Sequence, residues 1–191
     1  MQSLDESFQE LRAKVKQGRE LNFVSFEPVF YLVYEPSQIL EVKRKLRAWK
    51  ATLKKDGFQV IDISLAKEIH KIIDKHPWKK FWLQQEKITG FNSEQYIKTI
   101  KNALITDDAL VKTLEKELDK LSSQSNGLFL VTDLESLHPF LRIGQIEAEL
   151  QGKFEVPTVF LYPGVRTGKT GLKFLEFYPD DGNYRSVHVG G

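Results

Sequence analysis

The chain has 191 residues, 28 Lys and Arg against 26 Asp and Glu, and no cysteine. That is the length of about one domain, able to bury roughly 70% of the surface its unfolded chain exposes. The missing thiols exclude disulfide scaffolds, Cys-ligated zinc, iron–sulfur clusters and cysteine nucleophiles, and they are compatible with a reducing, cytoplasmic setting.

The N-terminal stretch carries Asp5, Glu6 and Glu10, not a basic region followed by an apolar run, so no secretory signal is expected. Ser3 and Glu6 have the spacing of a capping box, and Leu4, Phe8, Leu11 and Val15 recur at helical spacing, which predicts a peripheral N-terminal helix over residues 1–18. Residues 29–34 form a short, continuous apolar run, as a strand buried on both faces should. Ser37 is placed to cap a helix running to about residue 55, with Leu40, Leu46, Trp49 and Leu53 on its apolar face. A second strand is expected at 58–63, with Ser64 capping a helix that Pro77 ends.

Three further helices are predicted at 78–87, 94–105 and 108–122, and the Trp78 and Trp82 pair, beside Phe81 and Leu83, is expected in the core. Residues 128–132 read as a third buried strand, 137–150 as a helix with Pro139 in its first turn, and 156–162 as a fourth strand. Two more strands, at 172–178 and 184–189, are expected to pair through the turn Asp180-Asp181-Gly182-Asn183. No apolar run approaches the roughly 20 residues needed to span a bilayer, so no membrane association is expected.

Strands alternating with helices predict an α/β fold: a mostly parallel sheet with helices on both faces, a degenerate P-loop-NTPase-like outline and a C-terminal antiparallel hairpin. Residues 1–191 are expected to form a single α/β domain, with 64–125 a helical insertion. Charge is uneven along it. Residues 41–103 hold 15 basic and 7 acidic side chains, whereas residues 104–150 hold 4 and 9. Such polarity suits a docking or nucleic-acid surface.

Catalytic motifs are wanting. Gly164-Val-Arg-Thr-Gly168-Lys169-Thr170 imitates a phosphate-binding loop, but it has three residues between its glycines instead of four and runs into a strand-like sequence, so a Gly-rich turn between strands is favoured. In a nucleotide-binding sheet the loop belongs after the first strand, and Glu35-Pro36-Ser37-Gln38 has neither glycine nor lysine there. Asp133 ends a hydrophobic strand where such enzymes hold a metal, yet without a phosphate loop it is expected to be the N-cap of the next turn. His70, His76, His138 and His188 show no metal-ligand spacing, and Asp62 with Asp133 is a carboxylate pair only in lying near strand ends. No catalytic residue, cofactor or metal is assigned.

Two basic stripes are better defined. Lys43, Arg47, Lys50 and Lys54 share one helix face, and Lys67, Lys71 and Lys75 share another, as candidate nucleic-acid contacts or simply solvated faces.

His138-Pro139-Phe-Leu-Arg142, the strand ending in Tyr162-Pro163-Gly164, and Asn183-Tyr184-Arg185 together resemble the pattern of the BrxB family of BREX (bacteriophage exclusion) defence systems, with one Tyr before Arg185 where the pattern has two. The resemblance implies a non-enzymatic adaptor in a BREX assembly, beside a PglZ-like phosphatase protein as the nearest partner, a large ATPase and a DNA methyltransferase. It marks Pro139, Arg142, Tyr162, Pro163, Gly164, Tyr184 and Arg185 as pattern positions for structure or docking. The alternatives are a DNA-contacting subunit using the basic stripes and a weak nucleotide binder using the Gly164 segment.

Overall fold

The computed structural model describes residues 2–20, 27–168, 171–179 and 186–191. Helix α1 (Leu4–Glu20) opens on the expected capping box: the Ser3 amide donates to the Glu6 carboxylate at 2.8 Å and the Glu6 amide to Ser3 Oγ at 3.2 Å. It is not a peripheral arm. Leu4, Phe8, Leu11 and Val15 are all buried in a core beneath the sheet, and Phe8 stacks on Trp49 with centroids 4.8 Å apart. Arg12 and Lys16 clamp Asp56, the residue just past the next helix, and hold its carboxyl well below the usual range. An apolar stripe repeated every three or four residues needs a surface to bury against, and here it finds one.

Strand β1 (Val29–Tyr34) is buried at every position, as its unbroken apolar run requires. Helix α2 (Ile39–Lys55) follows a 3-10 turn, and Ser37 does not cap it, its hydroxyl donating instead to Glu35. The buried stripe of α2 runs through Val42, Trp49 and Leu53, with Leu46 partly buried. Leu40 lies two residues off that stripe, on the far side of the helix, and is 70% exposed.

Beyond β2 (Gln59–Ser64) come α3 (Leu65–Lys75), α4 (Lys79–Thr89), α5 (Ser93–Ile105) and α6 (Ala109–Ser122), which together fill the crossover to β3 (Gly127–Thr132). Ser64 Oγ caps α3 as expected, accepting the Lys67 amide at 3.3 Å, and the Asn92 side chain caps α5. The helix expected over 137–150 is shorter. A 3-10 turn covers Leu134–Leu137, residues 138–142 form an irregular corner, and α7 spans only Ile143–Glu149. Pro139 disfavours helical geometry at His138 and supplies no amide, so it ends the first turn instead of opening a long helix.

Strand β4 (Thr158–Thr167) runs straight through Gly164, which is therefore no turn, and β5 (Gly171–Phe174) folds back antiparallel upon it. The expected pairing of the last two strands is not found. The antiparallel hairpin is β4–β5, while β6 (Val187–Gly190) pairs parallel with β1, Phe30 opposite Val187. The turn expected at residues 180–183 lies outside the described residues. Long-range pairing with β1 satisfies both the apolar side chains and the backbone of β6 in a way that a local hairpin partner does not.

The sheet order is β2-β3-β4-β1-β6, parallel throughout, with β5 on the extension of β4. Val29, Tyr31 and Val33 face a core built with α3, α5, α6 and α7, whereas Phe30, Leu32 and Tyr34 face the core of α1 and α2. Helices thus cover both faces, and β1 occupies the interior position of a nucleotide-binding sheet. Among the described residues no helix is long and apolar enough to cross a membrane.

Candidate functional site

Parallel α/β sheets take their ligands at the carboxyl ends of the strands. In this chain the described side chains at the ends of β1, β2 and β3 are engaged with one another. The Glu35 amide, where a phosphate loop would begin, donates to Gln38 Oε1 at 3.1 Å. Asp133 sits in left-handed geometry at the cap position of the 3-10 turn, and it is its backbone oxygen, not its side chain, that accepts from Ser136. Its carboxylate instead accepts from the Ser64 hydroxyl and pairs with Lys43 Nζ at 2.9 Å; the same ammonium reaches Glu135 at 2.7 Å.

Partial burial pushes the Asp133 carboxyl up, but the Ser64 and Lys43 hydrogen bonds outweigh it and leave the group below the usual carboxylate range. Burial likewise opposes the charge on Lys43, and the two carboxylates overcome it, so the ammonium is held more firmly than usual. Tyr34, against the same carboxylates, is kept protonated by burial first and their charge second. The lysine of the first sheet helix and the aspartate ending β3 therefore neutralise each other. Asp62 pairs separately with Lys50 at 2.8 Å, so Asp62 and Asp133 form no carboxylate dyad. Among the described residues no three His, Asp or Glu gather as a metal site. Substituting Lys43→Met strands two carboxylates and should lower stability by about 1 kcal/mol, a modest figure because Lys43 is half exposed. Urea denaturation of Lys43→Met, Asp133→Asn and the double variant should show coupling between the two sites.

The structure divides the pattern residues. Tyr162, Pro163 and Gly164 are buried within β4. Lys169, Thr170, Tyr184 and Arg185 lie outside the described residues. Arg142 is half-buried with its guanidinium 4.1 Å above the Tyr178 ring, and His138 Nδ1 shares a hydrogen bond with the Tyr178 hydroxyl. Pro139 is exposed beside them, and exposed Phe177 packs edge-on to His138 at 5.3 Å. Tyr178 and Phe177 carry no spacing signal; only the return of β5 along β4 brings them to this corner.

The basic stripes are not brought together. Lys43, Arg47, Lys50 and Lys54 ride on α2 and Lys67, Lys71 and Lys75 on α3, on opposite faces of the sheet. Lys43, Lys50 and Lys71 are also ion-paired, the last to Glu68 at 2.6 Å.

A different surface stands out. No residue of α4 is fully buried: of the tryptophan pair expected in the core, Trp78 is 60% exposed and Trp82 half-buried, and Phe81, Leu83 and Phe91 are exposed beside them. Leu65 and Ile69 of α3 and Ile100 and Leu104 of α5 already cover the sheet, so α4 is stacked outside them with no sheet left to cover. Between α3, α4 and α5 lies an open cleft of about 330 Å³, lined by Ile73, Phe81, Trp82, Phe91, Tyr96 and Ile100. Tyr96 touches Phe91 and, at 6.2 Å, Phe140, so the apolar surface continues to the corner of Pro139 and Arg142. Contiguous exposed aromatics of this kind mark interaction sites.

These features define an α/β protein with the outline of a nucleotide-binding sheet, with Lys43 ion-paired to Asp133 and Glu135 past the end of β3 and with apolar side chains exposed around α4. The chain belongs to the BrxB family: the family model, BREX protein BrxB, matches residues 61–189, from β2 to β6. It is thus a component of a BREX phage-defence system, with other BREX subunits as its partners. No curated protein and no solved structure matches it.

Proposed function

We propose that the chain is a non-enzymatic adaptor of its BREX assembly, and that the outer surface of α4 and α5, with the adjoining corner of Pro139 and Arg142, docks the PglZ-like phosphatase protein. The observation that carries this reading is the exposed aromatic surface at and beside a helix none of whose residues is fully buried. Covering an aromatic side chain against a partner is worth about 1.5–3 kcal/mol at full burial, and aromatic and Arg anchors are the residue types that dominate interface energies. The engagement of Lys43 with Asp133 and Glu135 supports an assembly role over a catalytic one.

Co-purification with a PglZ-like protein of the same BREX system tests the reading. The wild-type chain should retain that protein, and the double variant Phe81→Asp, Phe91→Asp should lose it while melting at the wild-type temperature, since both side chains are exposed. Recovery of no PglZ-like protein, or full retention by the double variant, would overturn it.

A further inference from the structure

We infer that the cleft between α4 and α5 receives an acidic, amphipathic helix from another protein. The inference rests on the adaptor reading and specifies what occupies that same surface. Its walls are α3, α4, α5 and the segment 90–92, with no strand among them, so an extended peptide would find no sheet edge there to pair with. What the cleft offers is apolar: Phe81, Trp82, Phe91, Tyr96 and Ile100 around about 330 Å³ of open space. That is the receiving half of a helix-in-groove contact, which is read by side chains at i, i+3, i+4 and i+7.

Charge selects among such helices. The charged residues that line the cleft, Lys79 and Glu86, balance each other, but α4 and α5 together carry Lys79, Lys80, Lys87, Lys98 and Lys101 against Glu86 and Glu94, and Lys80, Lys87 and Lys98 are exposed on those helices. An occupant with acids flanking its apolar stripe is favoured and a basic one is repelled. A second copy of this chain does not supply that helix. Helix α6 carries Glu115, Glu117 and Asp119, but Leu110, Leu114, Leu118 and Leu121 are all buried in its own core. The apolar sides of α1 and α7 are likewise committed. Face-to-face pairing of two copies through α4 and α5 would oppose two basic surfaces.

Site-specific photo-crosslinking tests the inference in the full chain co-expressed with its genomic neighbours. A benzoylphenylalanine in place of Phe91 should yield an adduct whose partner peptide belongs to another protein, has helical apolar spacing and carries more acids than bases. Reversing charge with Lys80→Glu and Lys87→Glu should lower adduct yield about tenfold, without changing the melting temperature. An adduct with this chain's own peptides, with nucleic acid or with a neutral or basic segment overturns the inference, as does the lack of any adduct or a yield indifferent to charge reversal. The two readings fail separately. A PglZ-like protein that co-purifies but never crosslinks at this position sinks the acidic-helix occupant alone; an acidic helix captured from a different protein sinks the PglZ assignment alone.

Discussion

Gly164→Ala should destabilise the protein by about 3 kcal/mol, at the upper end of what overpacking costs. The backbone there is not unusual; the space is. A Cβ on Gly164 would stand 2.7 Å from the Tyr162 ring and closer still to the Lys173 carbonyl oxygen. Gly164 faces Phe174 in the β4–β5 register, so the carbonyl cannot withdraw without opening the hairpin. Tyr162 is fully buried against Tyr31 and Phe174, at 5.5 and 5.4 Å, and has no room to turn aside. Loss of the hairpin would also release Tyr178 from beneath Arg142, which couples this buried site to the exposed corner. Val165→Ala, at the half-buried next position, should cost only about 1–2 kcal/mol. Chemical denaturation of both variants gives the comparison, and equal losses would show that close approach is not what Gly164 provides. The apparent phosphate-loop glycine thus serves the fold, since its lack of a side chain lets two strands meet.

Stability should fall as the pH drops from 6.5 toward 4, and His188 should account for on the order of 3 kcal/mol of that fall. The imidazole is buried in β6, edge-on to Tyr31 at 5.6 Å and 3.1 Å from Ser186 Oγ. Burial pushes its pKa down to about 4, and the positive charges of Arg166 and Lys14 push in the same direction. With the folded value below the unfolded 6.5, the unfolded chain takes up the proton first. The stabilisation is therefore complete above pH 6.5, is lost as the pH falls between the two values, and changes no further below about 4. His188→Gln removes the titrating group. Whatever its absolute stability, its urea midpoint should vary less than wild type's between pH 6.5 and 4, and parallel pH profiles would refute the assignment.

Much of the architecture is legible in local patterns. Six consecutive apolar residues at 29–34, and four at 128–131, have no solvated face and so belong inside a sheet. The Ser3 and Glu6 box and the Ser64 cap are equally readable, because a cap is decided within four residues. Local patterns mislead where the partner lies far away in sequence. Nothing near residue 187 announces that β6 will pair with β1, and nothing in a Gly-rich stretch tells a turn from a strand through which two backbones pass closely. The outer aromatic surface is hidden for the same reason. Trp78, Phe81 and Leu83 have core composition, and only the prior occupation of the sheet by α3 and α5 leaves them outside.

The sequence by itself determined the class of fold, the lack of a catalytic motif, the family pattern around Pro139, Arg142 and Tyr162, and the concentration of positive charge in residues 41–103. All of these depend on composition or on the order and spacing of residues along the chain. Tertiary structure decided what that charge and those aromatics do. It set the two lysine stripes on opposite faces of the sheet, tied Lys43 to Asp133 past the end of β3, and left α4 without a fully buried residue. A sheet face holds only so many helices, and which of them is left outside depends on how the others pack.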